Sequence, residues 1–403
     1  MEILKIGVMG ARRGSSFMRT LQYMEEAKVV AICEVDDAAL EENEYVTDEM
    51  KIYRDYDEFV HSGLDAVILC NFFHEHAPYA IKAFEAGVAV LSETTAAASL
   101  GECVQLVEKC EEHQGTYILL ANCPYFTAVH AMKKRIDEGK MGRVLYGEAE
   151  YLHYTHVEDG SKIKKDTDLN NLHWRQVLPS NMYNMHTLGT LMYVTGSVPM
   201  KVSCKMIRRT DFYKSPRKLT DCNGSVVITE MSNGAVFNTT GCSGYAPTSK
   251  WYRLACEQGT METKRYDKRE DKLIVAGLDG NSEEMSPSLE EAGLVKEGDG
   301  FNLSAYEKSS HGGIDYHLTR AFIRVLLKKE KPFLDVYRSA ALSAAGILGW
   351  YSALSDGKEL RIPDFTKKEE RDAVRDDFRT PFAKRYSDLQ MPCRLDEKDK
   401  FVL

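Results

Sequence analysis

Short apolar runs alternate with helix-patterned segments through the first third of the chain, and no other feature narrows the fold as far. The runs are ILKIGVM (3–9), KVVAIC (28–33), DAVILC (65–70), VAVLSE (88–93) and TYILLANC (116–123). Their apolar residues are continuous rather than alternating, as in strands covered on both faces. Between them lie SSFMRTLQYMEEA (15–27), APYAIKAFEAG (77–87) and SLGECVQLVEKCEEHQ (99–114), with apolar residues at helical spacing. The second of these closes on Gly87, a typical helix C-cap. Strand–helix–strand repetition predicts an α/β architecture with a doubly wound parallel sheet and right-handed crossovers over residues 1–123. In such sheets ligands bind beyond the carboxyl ends of the strands, so the residues just after each strand carry most weight.

The pattern changes near MGRVLYGEAEYLHY (141–154). Alternating, β-rich segments follow: MKVSCKMI (200–207), GSVVITEMS (224–232), AVFNTTGC (235–242) and WYRLACE (251–257). Turn residues separate them without helical crossovers. This predicts a second, α+β domain over residues 124–403, built on a mostly antiparallel open sheet with one face free for another copy of the chain. Two later segments, DYHLTRAFIRVLLKKE (315–330) and SAALSAAGILGWYSALSDG (339–357), have helical spacing. The charge-rich C-terminal stretch reads as a surface wrap, and a chain of 403 residues suits two domains better than one.

Composition removes several classes of function. Sixty-one acids against 52 bases give a net charge of −9, which argues against nucleic acid and anionic membranes as partners. No apolar run is long enough to span a bilayer, and the N-terminus enters a strand without a basic, then apolar, leader. The ten cysteines are scattered, mostly within apolar runs, with no C-x-x-C pair. They read as reduced thiols in a cytoplasmic protein rather than a disulfide frame or a zinc site. No His, Cys or Asp cluster has ligand spacing, so no metal is expected.

After the first apolar run comes Gly10-Ala11-Arg12-Arg13-Gly14, read as a loop, then a helix opened by Ser15 and Ser16. A Rossmann dinucleotide site needs a tight turn, close backbone approach to pyrophosphate and a helix N-terminus facing it. Gly10 supplies the turn and Gly14 flexibility near the helix, but Arg12 stands where the fingerprint has its second glycine. Glu34 ends the second run and suits the adenosine ribose hydroxyls; its charge repels a 2′-phosphate, favouring NAD over NADP. Arg12 or Arg13 is placed to pair with pyrophosphate. A solvated basic loop on a parallel-sheet domain that binds no nucleotide stays open at this point.

LDAVILCNFFHEHAPYAIKAFEAG (64–87) followed by VAVLSETTAA (88–97) resembles the glucose–fructose oxidoreductase/inositol dehydrogenase (Gfo/Idh/MocA) family. In that family a strand ends near the nicotinamide side, a histidine begins the next helix, and the following strand ends in Glu-Lys-Pro. The histidine matches His76 and the glutamate Glu93, while Thr94 and Thr95 replace the lysine and proline. The lysine helps polarise the substrate hydroxyl in the family's ordinary dehydrogenases. The NAD-dependent glycosidase branch, which includes α-N-acetylgalactosaminidases, lacks it too. ANCPY (121–125), GRVLYGEAEYLH (142–153), HWRQ (173–176), YNMHTLG (183–189), HGGIDY (311–316), LDVY (334–337) and IPDFT (362–366) are similar to segments of that branch. Two departures stand out: Ala121 replaces a glutamate, and the loop Thr155 to His173, rich in Lys and Asp, has no counterpart.

The resemblance implies an enzyme that holds NAD and cleaves a glycosidic bond by transient oxidation at carbon three, elimination, water addition and reduction. It implies Gly10, Arg12, Arg13, Glu34, Asn71, His76, Glu93 and Asn122 around the cofactor. His186 would take the hydroxyl proton, Tyr151 would be the carbon-acid base, and Tyr183, three residues before His186, would share its face if the stretch is helical. Tyr125, Trp174, Arg175, His311 and Asp315 would grip a carbohydrate. Blander readings stay open at several positions. His186 sits in an apolar helical pattern and suits a core, Tyr151 suits sheet packing, and His76, Glu93 and His311 suit helix caps. Trp174 and Arg175 suit a cation–π loop closure. A plain NAD-dependent sugar or polyol dehydrogenase is the alternative activity, and a non-catalytic protein that kept the fold is the alternative class.

Overall fold

Six parallel strands, in the order β3-β2-β1-β4-β5-β6, organise the first unit: β1 (Leu4–Met9), β2 (Ala27–Cys33), β3 (Lys51–Tyr53), β4 (Ala66–Leu69), β5 (Ala89–Ser92) and β6 (Tyr117–Leu119). The computed structural model describes residues 3–153, 169, 172–210, 219–242, 247–266 and 271–403. The strand order reverses between β1 and β4, the switch point at which such sheets bind ligands. Five of the strands coincide with the five apolar runs. The sixth, β3, is only three residues long, and its Lys51 and Ile52 are exposed, so it leaves no apolar run to read.

The first unit comprises Met1–Ala97, Glu102–Tyr125 and Leu294–Ala340. This differs from a division at residues 123/124, because the chain returns to the nucleotide-type sheet late. The reason is a shared core. The helix Ile314–Leu326 packs on the helix Ala11–Leu21, so Leu318, Phe322 and Ile323 join Phe17, Met18 and Leu21, all at most 3% exposed. Burial of each such side chain is worth roughly 1.5–3 kcal/mol.

The second unit comprises Ala98–Gly101, Phe126–Gly293 and Ala341–Leu403. Its nine-stranded sheet runs β14-β13-β12-β11-β7-β10-β9-β8-β15. The strands are β7 (Val144–Leu152), β8 (Pro199–Arg208), β9 (Cys222–Met231), β10 (Val236–Cys242), β11 (Ser249–Cys256), β12 (Gly259–Thr263), β13 (Leu273–Gly277), β14 (Ser282–Met285) and β15 (Leu360–Arg361). Neighbours are antiparallel except β7 and β10, which run parallel. The mostly antiparallel open sheet expected of the second domain is therefore present. Phe237 and Leu254 are wholly buried on one face, whereas Val236 and Ile228 are exposed on the sheet.

Cys33, Cys70, Cys103, Cys110, Cys123, Cys204, Cys222, Cys256 and Cys393 are all buried free thiols. Among the described residues no helix is long and apolar enough to cross a membrane.

Candidate active site

Gly10 makes the first turn alone. Its φ of 95° lies in the region glycine favours, and a Cβ there would come 2.7 Å from the Cys70 carbonyl oxygen. The helix therefore starts at once, at Ala11, and runs to Leu21. This corrects the sequence reading: Arg12, Arg13 and Gly14 lie in the first helical turn, not in a loop ahead of Ser15. Gly14 has a different task. A Cβ on it would come 2.5 Å from Val8 Cγ1, so its absence lets the helix lie close against β1.

Glu34, just beyond β2, receives three backbone N–H groups. Ala11 donates to Oε2 at 2.8 Å, and Val35 and Asp36 donate to Oε1 at 2.8 and 2.9 Å. The carboxylate is thus fixed beside the opening of the helix. Arg12 turns outward to Asp36, at 3.1 Å, and to Glu42. Arg13 turns the other way. Its guanidinium pairs with Glu93, beyond β5, at 2.5 Å and lies 4.7 Å from the centre of the Phe17 ring. Burial opposes the Arg13 charge, but the Glu93 and Asp315 carboxylates outweigh it and hold the guanidinium firmly protonated. Both arginines proposed for pyrophosphate are therefore paired with carboxylates here.

The next strand ends hold buried amides. Asn71, after β4, has both side-chain polar atoms buried with no hydrogen-bond partner, and Asn122, after β6, has its Oδ1 in the same condition. The other amide atom of Asn122 donates to Asp315 Oδ1 at 3.5 Å. His76 is buried at the start of the helix His76–Glu85, with Nδ1 2.8 Å from the Thr95 carbonyl oxygen. Burial pulls its pKa below the usual histidine value, against the Thr95 bond and Glu93, so the ring is neutral near pH 7. The Thr94–Thr95 peptide is cis. His311 Nδ1 lies 2.9 Å from Asp315 Oδ2, and Asp315 is wholly buried in the first turn of its helix. Tyr125 closes the short helical turn Cys123–Tyr125 and packs, partly buried, on the core of the first unit.

In the second unit three rings meet. Tyr151 of β7 stacks on His186 with centroids 4.3 Å apart and planes 20° apart. Tyr183 lies 5.2 Å from His186 and 6.1 Å from Tyr151. Tyr183 and His186 share no regular helix. Ser180–Met182 is a 3-10 turn, Tyr183 ends it, and Met185–Gly189 is a π-helical turn, a device that wraps extra residues into one turn. Ring proximity thus comes from irregular backbone rather than from helical spacing.

That backbone is pinned from behind. Asn181 and Asn184 donate to the carbonyls of Gly346 and Leu342 at 2.6 and 2.9 Å, on the helix Val336–Leu354. Gly346 and Gly349 permit the approach: added Cβ atoms would lie 3.1 Å from Met182 Cα and 2.9 Å from Asn181 Nδ2. The Tyr252 hydroxyl donates to the His186 carbonyl at 2.8 Å. The sequence pointed to none of these five supports, because asparagines and glycines inside apolar patterns announce no partner.

Trp174 and Arg175 begin the short helix Trp174–Val177, with the guanidinium 4.2 Å from the indole centre. His173 caps that helix by accepting from the Arg175 N–H, and burial, aided by the Arg175 charge, lowers its pKa to about 4. Most of the loop Thr155 to His173 lies outside the described residues.

Residues 4–120 match an oxidoreductase family with an NAD-binding Rossmann fold, Gfo/Idh/MocA, and residues 302–371 match the C-terminal domain of glycosyl hydrolase 109. Residues 4–120 are thus similar to the NAD-binding domain of the Gfo/Idh/MocA oxidoreductases. An α-N-acetylgalactosaminidase of Shewanella oneidensis is 22% identical over 418 residues, covering 91% of this chain and 86% of its own. A glycosyl hydrolase family 109 protein of Shewanella sp. (strain MR-4) is 22% identical over 413 residues, with the same coverage. Levoglucosan dehydrogenase in complex with NADH superposes with a TM-score of 0.72 at 16% identity, over 90% of this chain and 100% of its own. An inositol dehydrogenase homologue of Azotobacter vinelandii complexed with NAD+ gives 0.68 at 15% identity, over 89% and 97%. These last two likenesses establish the fold.

The first unit fits the NAD that the matched Rossmann family binds. The Gly10 turn brings backbone close at the switch point, the Glu34 carboxylate is fixed beside the helix opening, and the idle Asn71 amide offers a donor and an acceptor at the end of β4.

Proposed function

We propose that this Gfo/Idh/MocA enzyme hydrolyses a glycoside by transient oxidation at carbon three, elimination of the aglycone, water addition at carbon one and reduction, with no net redox change. The observation that carries the reading is the stacked Tyr151–His186 pair, 4.3 Å apart, in a chain with Thr94 at the lysine position of the dehydrogenases. The match of residues 302–371 to a glycosyl hydrolase 109 domain supports it.

Gly10, Glu34, Asn71, His76, Glu93 and Asn122 hold NAD, and Arg12 and Arg13 are the cations available to its pyrophosphate, each by exchanging a carboxylate for a phosphate. Bound NAD supplies the hydride acceptor and donor for carbon three. His186 takes the proton of the carbon-three hydroxyl. Tyr151 takes the proton from carbon two, its ring held in place by the stacked His186. Tyr183 fixes the imidazole plane. Tyr125, Trp174, Arg175, His311 and Asp315 bind the sugar, the indole by stacking and the others by hydrogen bonds to hydroxyls. A carbohydrate is the small-molecule partner, and a second copy of the chain covers the nine-stranded sheet at Ile228 and Val236; light scattering checks the latter.

A panel of p-nitrophenyl glycosides with NAD+ tests the reading. Nitrophenol release without stoichiometric NADH is expected. The alternative is an NAD-dependent sugar or polyol dehydrogenase, favoured by the oxidoreductase character of the family matched over residues 4–120. It predicts one NADH per sugar and no nitrophenol.

A further inference from the structure

The corner of the first unit offered to the adenosine ribose carries more charge than Glu34 alone. Two arginines flank that carboxylate, and acids hold both. Arg12 follows Ala11, whose N–H donates to Glu34 Oε2 at 2.8 Å, and its guanidinium reaches Asp36 Oδ2 at 3.1 Å and Glu42. The Asp36 N–H donates to Glu34 Oε1 at 2.9 Å. The Arg12–Asp36 pair is therefore tied at both ends, through backbone, to the Glu34 carboxylate. Arg54 donates to the Glu34 carbonyl at 2.5 Å and pairs with Asp37. Four acids, Glu34, Asp36, Asp37 and Glu42, thus share two guanidiniums, and the corner is left negative. The bond from Asp36, then that from Glu42, raises the pKa of Arg12, and the Arg12 bond lowers that of Asp36, so this pair is fully charged near pH 7.

We propose that Asp36 and Glu42 are specificity-determining residues, which make the first unit select NAD over NADP by denying Arg12 to a 2′-phosphate. The inference rests on the NAD reading above and goes beyond the charge of Glu34. A guanidinium beside the ribose is the group that a 2′-phosphate would seek, since its planar fork matches phosphate oxygens. Here two carboxylates already occupy that fork. A phosphate would have to displace them and then lie among them, and like charges brought together are costly. A ribose with free hydroxyls needs only an acceptor, and Glu34 is one. The Arg12, Asp36 and Glu42 side chains are all exposed, and exposed ion pairs are weak one by one. The clamp therefore acts less by its grip on Arg12 than by the negative charge it sets beside Glu34. Pyrophosphate can still draw Arg12 off, because the two acids left behind go on repelling a 2′-phosphate.

Calorimetry with NADH and NADPH tests this on the full chain, with Glu34 intact throughout. The wild-type protein is compared with the Asp36→Asn/Glu42→Gln double variant and with the same double variant carrying Arg12→Ala. Asparagine keeps the cap that Asp36 gives the helix Asp37–Glu41 by accepting from the Ala38 N–H. The thermal shift on adding NADH reports that each variant is folded and binds cofactor. The wild-type protein is expected to favour NADH. The double variant should narrow that preference by about tenfold or more, through tighter NADPH binding, with NADH affinity held within about threefold. Adding Arg12→Ala should remove the gain in NADPH affinity and cost NADH less. Raising the salt concentration should narrow the preference of the wild-type protein more than that of the double variant. A wild-type preference for NADPH, an unchanged preference in the double variant, one narrowed only by loss of NADH, or equal losses of both cofactors on adding Arg12→Ala overturns the role of Asp36 and Glu42. A wild-type protein that binds neither dinucleotide overturns the NAD reading instead.

Discussion

The strand-end cradle of the first unit and the ring cluster of the second are built on opposite terms. The cradle is mostly backbone: Gly10 turns where no Cβ fits, Gly14 lets a helix touch β1, and Glu34 is clamped by three N–H groups. Its side chains wait, as the idle Asn71 amide shows. The ring cluster is mostly side chain: Tyr151, Tyr183 and His186 lie on irregular turns braced by Asn181, Asn184 and Tyr252. A site that holds a shared cofactor can be written in backbone and reused. A site that selects one reaction must be written in side chains and held by supports peculiar to it.

The sharpest way to break this comparison is His186→Ala. Turnover should fall by about 10²–10⁴-fold, the range for loss of a general base, while the NADH-induced thermal shift persists. Loss of cofactor binding in that variant would show that the two regions are not separable. Gly10→Ala is the converse experiment. Its Cβ would meet the Cys70 carbonyl at 2.7 Å from a backbone at φ 95°. Strain of roughly 1–3 kcal/mol at such a position should weaken NAD binding by about tenfold or more, measured by calorimetry, with the near-ultraviolet signal of the tyrosines unchanged.

Asn184→Ala tests the bracing. Removing a donor to the buried Leu342 carbonyl, now 2.9 Å away, should cost about 1–3 kcal/mol of stability and lower kcat more than it raises KM. The smallest effect is on acid stability. His173 in the second unit has its pKa lowered to about 4 by burial, and His76 in the first is lowered too, also by burial. Unfolded histidines take up protons near 6.5 and these do not, so stability should fall as pH drops from 6.5 toward 4 and stay level above. Replacing His173 with asparagine, which also caps helices, should flatten that slope in a melting series.

The sequence makes the cradle far more legible than the cluster. Continuous apolar runs and their helical spacers report a parallel sheet directly, and the residues after each run are then the residues to watch. Glu34, Asn71, Glu93 and Asn122 are proposed that way or by family resemblance, and the structure sets all four just beyond strand ends. The failures were local. The helix after β1 starts four residues earlier than Ser15 suggests, because one glycine at φ 95° completes the turn that a longer loop otherwise makes. Strand β3 was missed because Lys51 and Ile52 face outward. For the ring cluster, periodicity offered only a buried histidine in an apolar pattern. Resemblance named Tyr151, Tyr183 and His186, and helical spacing gave the wrong reason for the closeness of the last two, since a 3-10 turn followed by a π-helical turn, not a shared helix face, carries Tyr183 and His186.

The late return of the chain to the first unit has a consequence for how the protein is made. Phe17, Met18 and Leu21 leave the ribosome early, but Leu318, Phe322 and Ile323, which share their core, emerge some three hundred residues later. The nucleotide-binding half therefore spends most of synthesis with an apolar helix flank uncovered, the condition in which nascent chains attract chaperones or self-associate. A fragment ended at residue 123 would keep that flank bare permanently. The cofactor domain, first to be translated, is among the last to be finished.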